Sequence, residues 1–304
     1  MTPQPLKLGT RRSLMATTQS RMVADAYTEH TGRAIELVGV TTFGDVSKAH
    51  LAQLGGTGVF VSALRDKLLE GEIDFAVHSL KDLPTKPDPR IELAALPTRH
   101  DHRDALVGPA KFADLPSGAR VGTGSPRRVA MLRALRPDLE YVPIRGNAET
   151  RIGKIAAGEL DAVVLASAGL TRIGRTAEIA EIFEVDRVLP APGQGSLAVE
   201  CLADRADMVE FLGQLGDPRT RSAVAAERAI LAALEAGCSA PVGAFGLDDG
   251  QTLNLTAAVV AVDGRQAVRK STAGSPSEAE DLGRRLAAEM LREGADRLMG
   301  EHSH

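Results

Sequence analysis

The chain is predicted to be an α/β protein of two similar lobes followed by a smaller α+β domain. A seven-residue pattern occurs twice, as Gly71-Glu72-Ile73-Asp74-Phe75-Ala76-Val77 and Gly158-Glu159-Leu160-Asp161-Ala162-Val163-Val164. Each copy follows a segment of helical periodicity and runs into a short apolar strand. Glycine-rich turns, Gly55-Gly56-Thr57-Gly58 and Gly122-Thr123-Gly124-Ser125-Pro126, stand just before helices, where backbone N–H groups can approach an anion. Near residue 217 the texture changes, and a separate small domain is expected beyond it. Two such lobes are expected to face each other across a cleft, because ligand sites in open α/β sheets gather at strand ends and between domains.

Each element has a local reason. Val61, Leu64 and Leu68 share one face of the helix before the first repeat, and Ile152, Ile155 and Ala156 share one face of the helix before the second. Residues 73–84 form an apolar strand that ends by delivering Lys81 and Asp82 side by side ahead of Pro84. That is how α/β sheets present reactive groups, so Asp82 is the first catalytic candidate. A helix begins near Arg127. Leu197-Ala198-Val199-Glu200-Cys201-Leu202 is a strand with Cys201 in its core. In the last domain, 227–234 is a helix and 253–262 a strand. Ser277 with Glu280 is a capping box for a helix through Leu282, Leu286 and Met290. Cys238 sits in the loop Glu235-Ala-Gly-Cys-Ser-Ala-Pro241, whose turn residues let a thiol face outward.

Composition excludes several classes. With 304 residues, 43% hydrophobic and 25% charged, the chain is an ordinary globular protein with more than one core. No stretch approaches the ~20 apolar residues of a membrane span, and the amino terminus lacks a signal-peptide pattern, so a cytoplasmic protein is expected. Two cysteines make no disulfide framework. The net charge of −4 does not advertise nucleic acid. No Cys-x-x-Cys occurs and no metal site is expected; the Gly-x-Ser-x-Gly elbow of a Ser-His-Asp hydrolase is missing. Of 36 cations 28 are Arg, and eleven of these lie between Arg99 and Arg175, a choice that suits bidentate recognition of carboxylate or phosphate.

Four features call for one explanation: an Asp at a strand end, the pair Arg127-Arg128 on a glycine-rich turn, further arginines around Arg145 and Arg151, and a lone loop cysteine. A paired-Arg helix start points to a ligand with several acid groups; a surface salt-bridge face on an amphipathic helix is the plainer alternative. At this point the chain closely resembles the porphobilinogen deaminase, or hydroxymethylbilane synthase, family. His78-Ser-Leu-Lys-Asp-Leu-Pro, Gly122-Thr-Gly-Ser-Pro-Arg-Arg, Arg145-Gly-Asn, Pro192-Gly-Gln-Gly and Glu235-Ala-Gly-Cys-Ser-Ala-Pro occur in the family's order and separations.

The resemblance implies two type II periplasmic-binding-protein-like lobes, residues 1–97 with 194–215 and residues 98–193, and a carboxyl-terminal α+β domain over 216–304. It implies a transferase of porphyrin and heme biosynthesis that condenses four porphobilinogen molecules on a dipyrromethane primer and then hydrolytically releases the tetrapyrrole. The primer is expected on Cys238 through a thioether, with Asp82 catalytic. Arg11, Arg127, Arg128, Arg145, Arg151 and Arg172 match the family's arginines. Ser13, Ser79, Lys81, Thr123, Ser125, Gly146 and Gln194 are further expected contacts with cofactor or substrate. A monomer is expected, with no nucleic acid and no membrane as partner. The chain departs from the family at Phe43, Thr57 and Ser62, which stand where cations are common, and at Leu14-Met15. The alternative is a two-lobe solute-binding module for a polycarboxylate, which leaves Cys238 and the Lys81-Asp82 pair without a purpose.

Overall fold

The computed structural model describes residues 4–41, 58–236 and 240–299. From the amino end run β1 (Leu6–Arg11), α1 (Leu14–Thr31), β2 (Ile35–Val40), α2 (Gly58–Leu69), β3 (Phe75–Ser79) and β4 (Ile91–Ala95). Next come β5 (Asp104–Val107), β6 (Arg120–Thr123), α3 (Pro126–Leu135), β7 (Glu140–Pro143), α4 (Ala148–Ala156), β8 (Ala162–Ala166), α5 (Ser167–Arg172) and β9 (Ile179–Ile182). The chain continues with β10 (Leu197–Leu202), α6 (Ala206–Gly213), α7 (Pro218–Ala233), β11 (Val242–Asp248), β12 (Leu253–Val260), β13 (Ala267–Gly274), α8 (Ala279–Arg292) and α9 (Ala295–Leu298).

Two five-stranded sheets follow one plan. Their orders are β2-β1-β3-β10-β4 and β7-β6-β8-β5-β9. In the first, β1 is parallel to β2 and β3, and β10 runs antiparallel between β3 and β4. In the second, β6 is parallel to β7 and β8, and β5 runs antiparallel between β8 and β9. The two α/β lobes expected from the internal repeat are thus built on sheets of one topology. The third sheet, β11-β12-β13, is antiparallel, and Leu282, Leu286 and Met290 of α8 are buried with its Leu253, Leu255 and Val259.

The repeated heptad acts through its polar members. Asp74 donates its N–H to the Lys7 carbonyl (2.9 Å) and accepts the Lys7 N–H on Oδ2 (2.8 Å). Asp161 does the same with Arg120, at 2.9 and 2.7 Å. Each Asp thus ties the start of a central strand to its parallel neighbour. The apolar members, Ile73 and Phe75 or Leu160 and Ala162, go to the cores on either side.

Among the described residues, those of Met1–Arg99 with Ser196–Arg221 pack as one unit, and those of His100–Gly195 with Ser222–His304 as another. Three local expectations need correction. Val61, Leu64 and Leu68 are buried, as are Ile152 and, in part, Ile155, but Ala156 is exposed because α4 ends there. The helix expected over 227–234 is the second half of the longer α7. Ser277 does not cap α8. Ser275 accepts the Ser277 N–H (3.3 Å) and caps a single turn, Pro276–Glu278, that leads into the helix; Pro276 favours that first-turn place and moves the cap one residue ahead of itself.

Gly283 of α8 lies against α7, where a Cβ would collide with the Ala226 carbonyl oxygen and stand 2.8 Å from Ala229 Cβ. Gly283→Ala is therefore expected to destabilise the second unit by about 1–3 kcal/mol through overpacking. Thermal unfolding checks this: the melting temperature falls, while turnover per folded molecule at room temperature stays at the parental value.

Candidate active site

In the first lobe the site is built on the ends of β1 and β3. After Ser79 the chain makes one tight turn, Leu80–Asp82. Leu80 donates its N–H to the Ser196 carbonyl (3.0 Å), and Leu83 donates to the Leu80 carbonyl (3.0 Å). Leu80 and Leu83 are buried, while Lys81 and Asp82 between them are half-buried. The apolar pair anchors the turn and the polar pair is left at the sheet edge. Gln19 of α1 donates Nε2 to Ser79 Oγ (3.2 Å). Ser13 caps α1 by accepting the Ala16 N–H (3.3 Å), and Arg11 closes β1. Arg11, Ser13, Ser79, Lys81 and Asp82 therefore share one edge of the first sheet.

The second lobe brings its candidates to the equivalent edge. Thr123 ends β6 and accepts the Ser125 N–H (3.3 Å), and Ser125 caps α3 by accepting the Arg128 N–H (3.5 Å). Arg127 and Arg128 are only 2% and 5% exposed, so they form no surface salt-bridge face. Both turn inward onto Asp104, which is fully buried. Arg127 Nη1 bonds Asp104 Oδ2 (2.7 Å), and Arg128 Nε and Nη2 bond Oδ1 (2.9 and 2.7 Å). Gln194 Nε2 completes the shell at 2.9 Å from Oδ1 and 2.8 Å from the His102 carbonyl. Burial alone would raise the Asp104 carboxyl; the two guanidiniums outweigh it and hold the group well below the usual carboxylate range.

Arg145 and Gly146 lie exposed after β7, and Asn147 caps α4 by accepting the Thr150 N–H (2.8 Å). Arg151 donates Nε to the Gly146 carbonyl (2.8 Å). Arg172, at the end of α5, donates Nη2 to the Gly195 carbonyl (2.7 Å). Gly195 requires a left-handed backbone, φ +91°, and a Cβ there would sit 2.6 Å from the His100 carbonyl oxygen. Burial pushes Arg172 down to about 10, so it remains a cation at neutral pH. Cys238 and the turn at 55–58 lie outside the described residues for these side chains, as do Phe43 and Thr57; Ser62 is exposed on α2 and Leu14 at the start of α1.

Residues 6–210 match the model of "porphobilinogen deaminase, dipyromethane cofactor binding domain", and residues 222–292 match "porphobilinogen deaminase, C-terminal domain". The chain belongs to the porphobilinogen deaminase family. Porphobilinogen deaminase of Thermobifida fusca is 60% identical over 99% of this chain and 98% of its own length. Porphobilinogen deaminase 1 of Streptomyces coelicolor is 57% identical over the whole of both. Among solved structures, the VFT2 domain of Bordetella pertussis BvgS is similar at 17% identity over 69% of this chain and 86% of that one, with a TM-score of 0.42. The activity is that of the family, hydroxymethylbilane synthase, a transferase of tetrapyrrole biosynthesis.

The residues present fit an acidic cofactor. Arg127, Arg128 and Asp104 sum to one surplus positive charge in a buried place. The Nε atoms of Arg127 and Arg172 are buried with no hydrogen-bond partner among the described residues, and such donors cost free energy until an acceptor arrives. Sequence reasoning missed Asp104 and Gln19. Asp104 carried a signal, a charge heading the apolar run Ala105-Leu106-Val107; Gln19 carried none.

Asp104→Asn leaves two buried guanidiniums without their counter-ion, which costs about 3–5 kcal/mol at neutral pH. The sign of the pH dependence follows from the depressed carboxyl. Its contribution is present above the ordinary Asp value near 4 and is lost as pH falls through the lower folded value. Unfolding titrations of both proteins should show the gap between parent and variant constant at pH 6–8 and closing in acid below about 4.

Proposed function

We propose that Asp82 is the catalytic carboxylate and Cys238 the attachment point of dipyrromethane in an enzyme that joins four porphobilinogen units head to tail. When bound, the cofactor supplies the free pyrrole α-carbon that serves as primer. Each substrate ring carries an acetate and a propionate, so ring after ring must be gripped by cations. What carries this reading is the surplus of buried guanidinium around Asp104: one counter-ion serves two arginines and leaves charge for a ligand carboxylate. Arg11, Arg145, Arg151 and Arg172 are assigned to further acid groups, with Ser13, Ser79, Lys81, Thr123, Ser125, Gly146 and Gln194 as polar contacts.

Loss of ammonia leaves a cationic centre on the porphobilinogen ring. The Asp82 carboxylate stabilises it from the pyrrole N–H side and takes up and returns the proton exchanged during coupling and release. Its place on a turn pinned by Leu80 and Leu83 supports that role, since electrostatic stabilisation depends on a group that does not reorganise. Cys201 offers no competing nucleophile: it is fully buried in β10, and burial pushes its thiol up to about 11. A cytoplasmic monomer whose partner is porphobilinogen alone is the state that family resemblance supports. No helix among the described residues is long and apolar enough to cross a membrane.

Two measurements test the assignments. Intact-mass spectrometry of chain from a porphobilinogen-producing host is expected to show a covalent excess of two pyrrole units, absent in Cys238→Ser and present in Cys201→Ser. In Asp82→Asn the same excess persists while turnover falls by roughly 10²-fold or more; near-normal turnover removes Asp82 from the chemistry.

A further inference from the structure

Beneath the Asp82 turn the first lobe buries Glu200 and His78 and partly buries Arg65, where its sister lobe has hydrocarbon. Glu200 of β10 is 2% exposed and His78 of β3 is 6% exposed. Arg65 of α2 grips Glu200 with Nε on Oε2 (3.0 Å) and Nη2 on Oε1 (2.6 Å). His78 Nε2 stands 3.3 Å from Oε2, at ion-pair distance but without the alignment of a directed hydrogen bond. Burial would raise the Glu200 carboxyl, yet His78 and Arg65 hold it down at about 2. Asp88 is a further charge felt by Arg65.

The internal repeat supplies the control. Aligning Gly71 with Gly158 matches Arg65 to Ile152 and His78 to Leu165. The strand registers match Glu200 to Val107, since Glu200 pairs with Ala76 and Val107 with Val163. Ile152, Leu165 and Val107 pack together in one apolar cluster. The same fold therefore closes this position without charge. A buried ion pair replaced by well-packed apolar residues is often neutral or stabilising, so stability does not account for the charged set. What the bidentate Arg65–Glu200 pair, with His78 at ion-pair distance beside it, adds over hydrocarbon is a fixed register between packed elements.

We propose that Arg65, Glu200 and His78 are positioning residues that lock α2, β10 and β3 together four residues before Asp82 and so hold its carboxylate in the productive place. This rests on the assignment of Asp82 as catalytic. His78 immediately precedes Ser79, the residue from which the Leu80–Asp82 turn starts, and β10 is also the strand next to Ser196, whose carbonyl receives the Leu80 N–H. A shift of the strand end by a fraction of an ångström passes directly to Asp82.

The test installs the sister lobe's residues, as the triple variant Arg65→Ile, His78→Leu, Glu200→Val, with Glu200→Gln as a near-isosteric partner. Melting temperature, intact mass, kcat and KM for porphobilinogen are read for each. The expected outcome is a melting temperature at or above the parent's, the covalent excess retained, KM within about threefold and kcat down by about tenfold or more. If the triple variant does not fold, Glu200→Gln, whose melting temperature falls because Arg65 loses its counter-ion, is held to the same intact-mass, KM and kcat outcome. Parental kcat in a folded, loaded variant overturns the proposal. In an Asp82→Glu background, where the carboxylate is already displaced, the further fall should be under about threefold; a full second fall means the set acts elsewhere and also overturns it. Near-normal turnover of Asp82→Asn would instead sink the Asp82 assignment, a separate result.

Discussion

Asp104 is the constraint on which the second lobe's chemistry depends. A carboxylate with no exposure is tolerable only if it is fully paired, and two guanidiniums and an amide satisfy it. In return the arginines are fixed. Arg128 makes four hydrogen bonds, to Asp104 twice, to the Val164 carbonyl and to Gln194, so its long side chain has no rotamer freedom left to lose when an anion arrives. The cluster is preorganised and still one positive charge in excess, at the start of α3 where the helix dipole adds to it. Removing Arg127 or Arg128 is therefore expected to disturb both the core and the carboxylate site proposed for them.

The two lobes share a sheet plan and a stitched heptad but have been given opposite electrostatic tasks. The second gathers Arg127, Arg128, Arg145, Arg151 and Arg172 at its strand ends. The first presents Asp82. Keeping the acid on a different sheet from that cationic cluster matters, because a carboxylate bonded to a guanidinium is spent as a counter-ion and is a weak stabiliser of a developing cation. Below the strand ends the assignment of charge is reversed in kind: hydrocarbon supports the arginine lobe at Val107, Ile152 and Leu165, and Arg65, Glu200 and His78 support the aspartate lobe.

Much of this was legible in the residues, for definable reasons. The heptad announced β3 and β8 because its apolar and polar members have local jobs, core filling and backbone pairing with the next strand. Lys81-Asp82 at a strand end and Ser125-Pro126 at a helix start follow equally local rules. Cys201 as a core residue follows from its apolar strand. What escaped is long-range. Nothing near Arg127 in sequence says that its partner is Asp104, nor near His78 that it meets Glu200 from β10; such pairings depend on the sheet order. The helix cap failed at finer grain, since Ser277 fits the capping pattern but Pro276 takes the first position of the turn and places the cap two residues earlier, at Ser275. Ala156 satisfied the helical period, yet it is the last residue of α4 and stands exposed, while Ile155 beside it still packs against the core.

In the proposed enzyme a sulfur-bound dipyrromethane has its acid groups held by the arginine set that Asp104 orders. Crystallographic electron density of the chain from a porphobilinogen-producing host measures this most directly. Density for two linked pyrroles continuous with Cys238 Sγ, with a carboxylate at hydrogen-bonding distance from the Arg127 or Arg128 guanidinium, is the predicted result. A bare Cys238 sulfur packed into apolar interior, away from those guanidiniums, would contradict it.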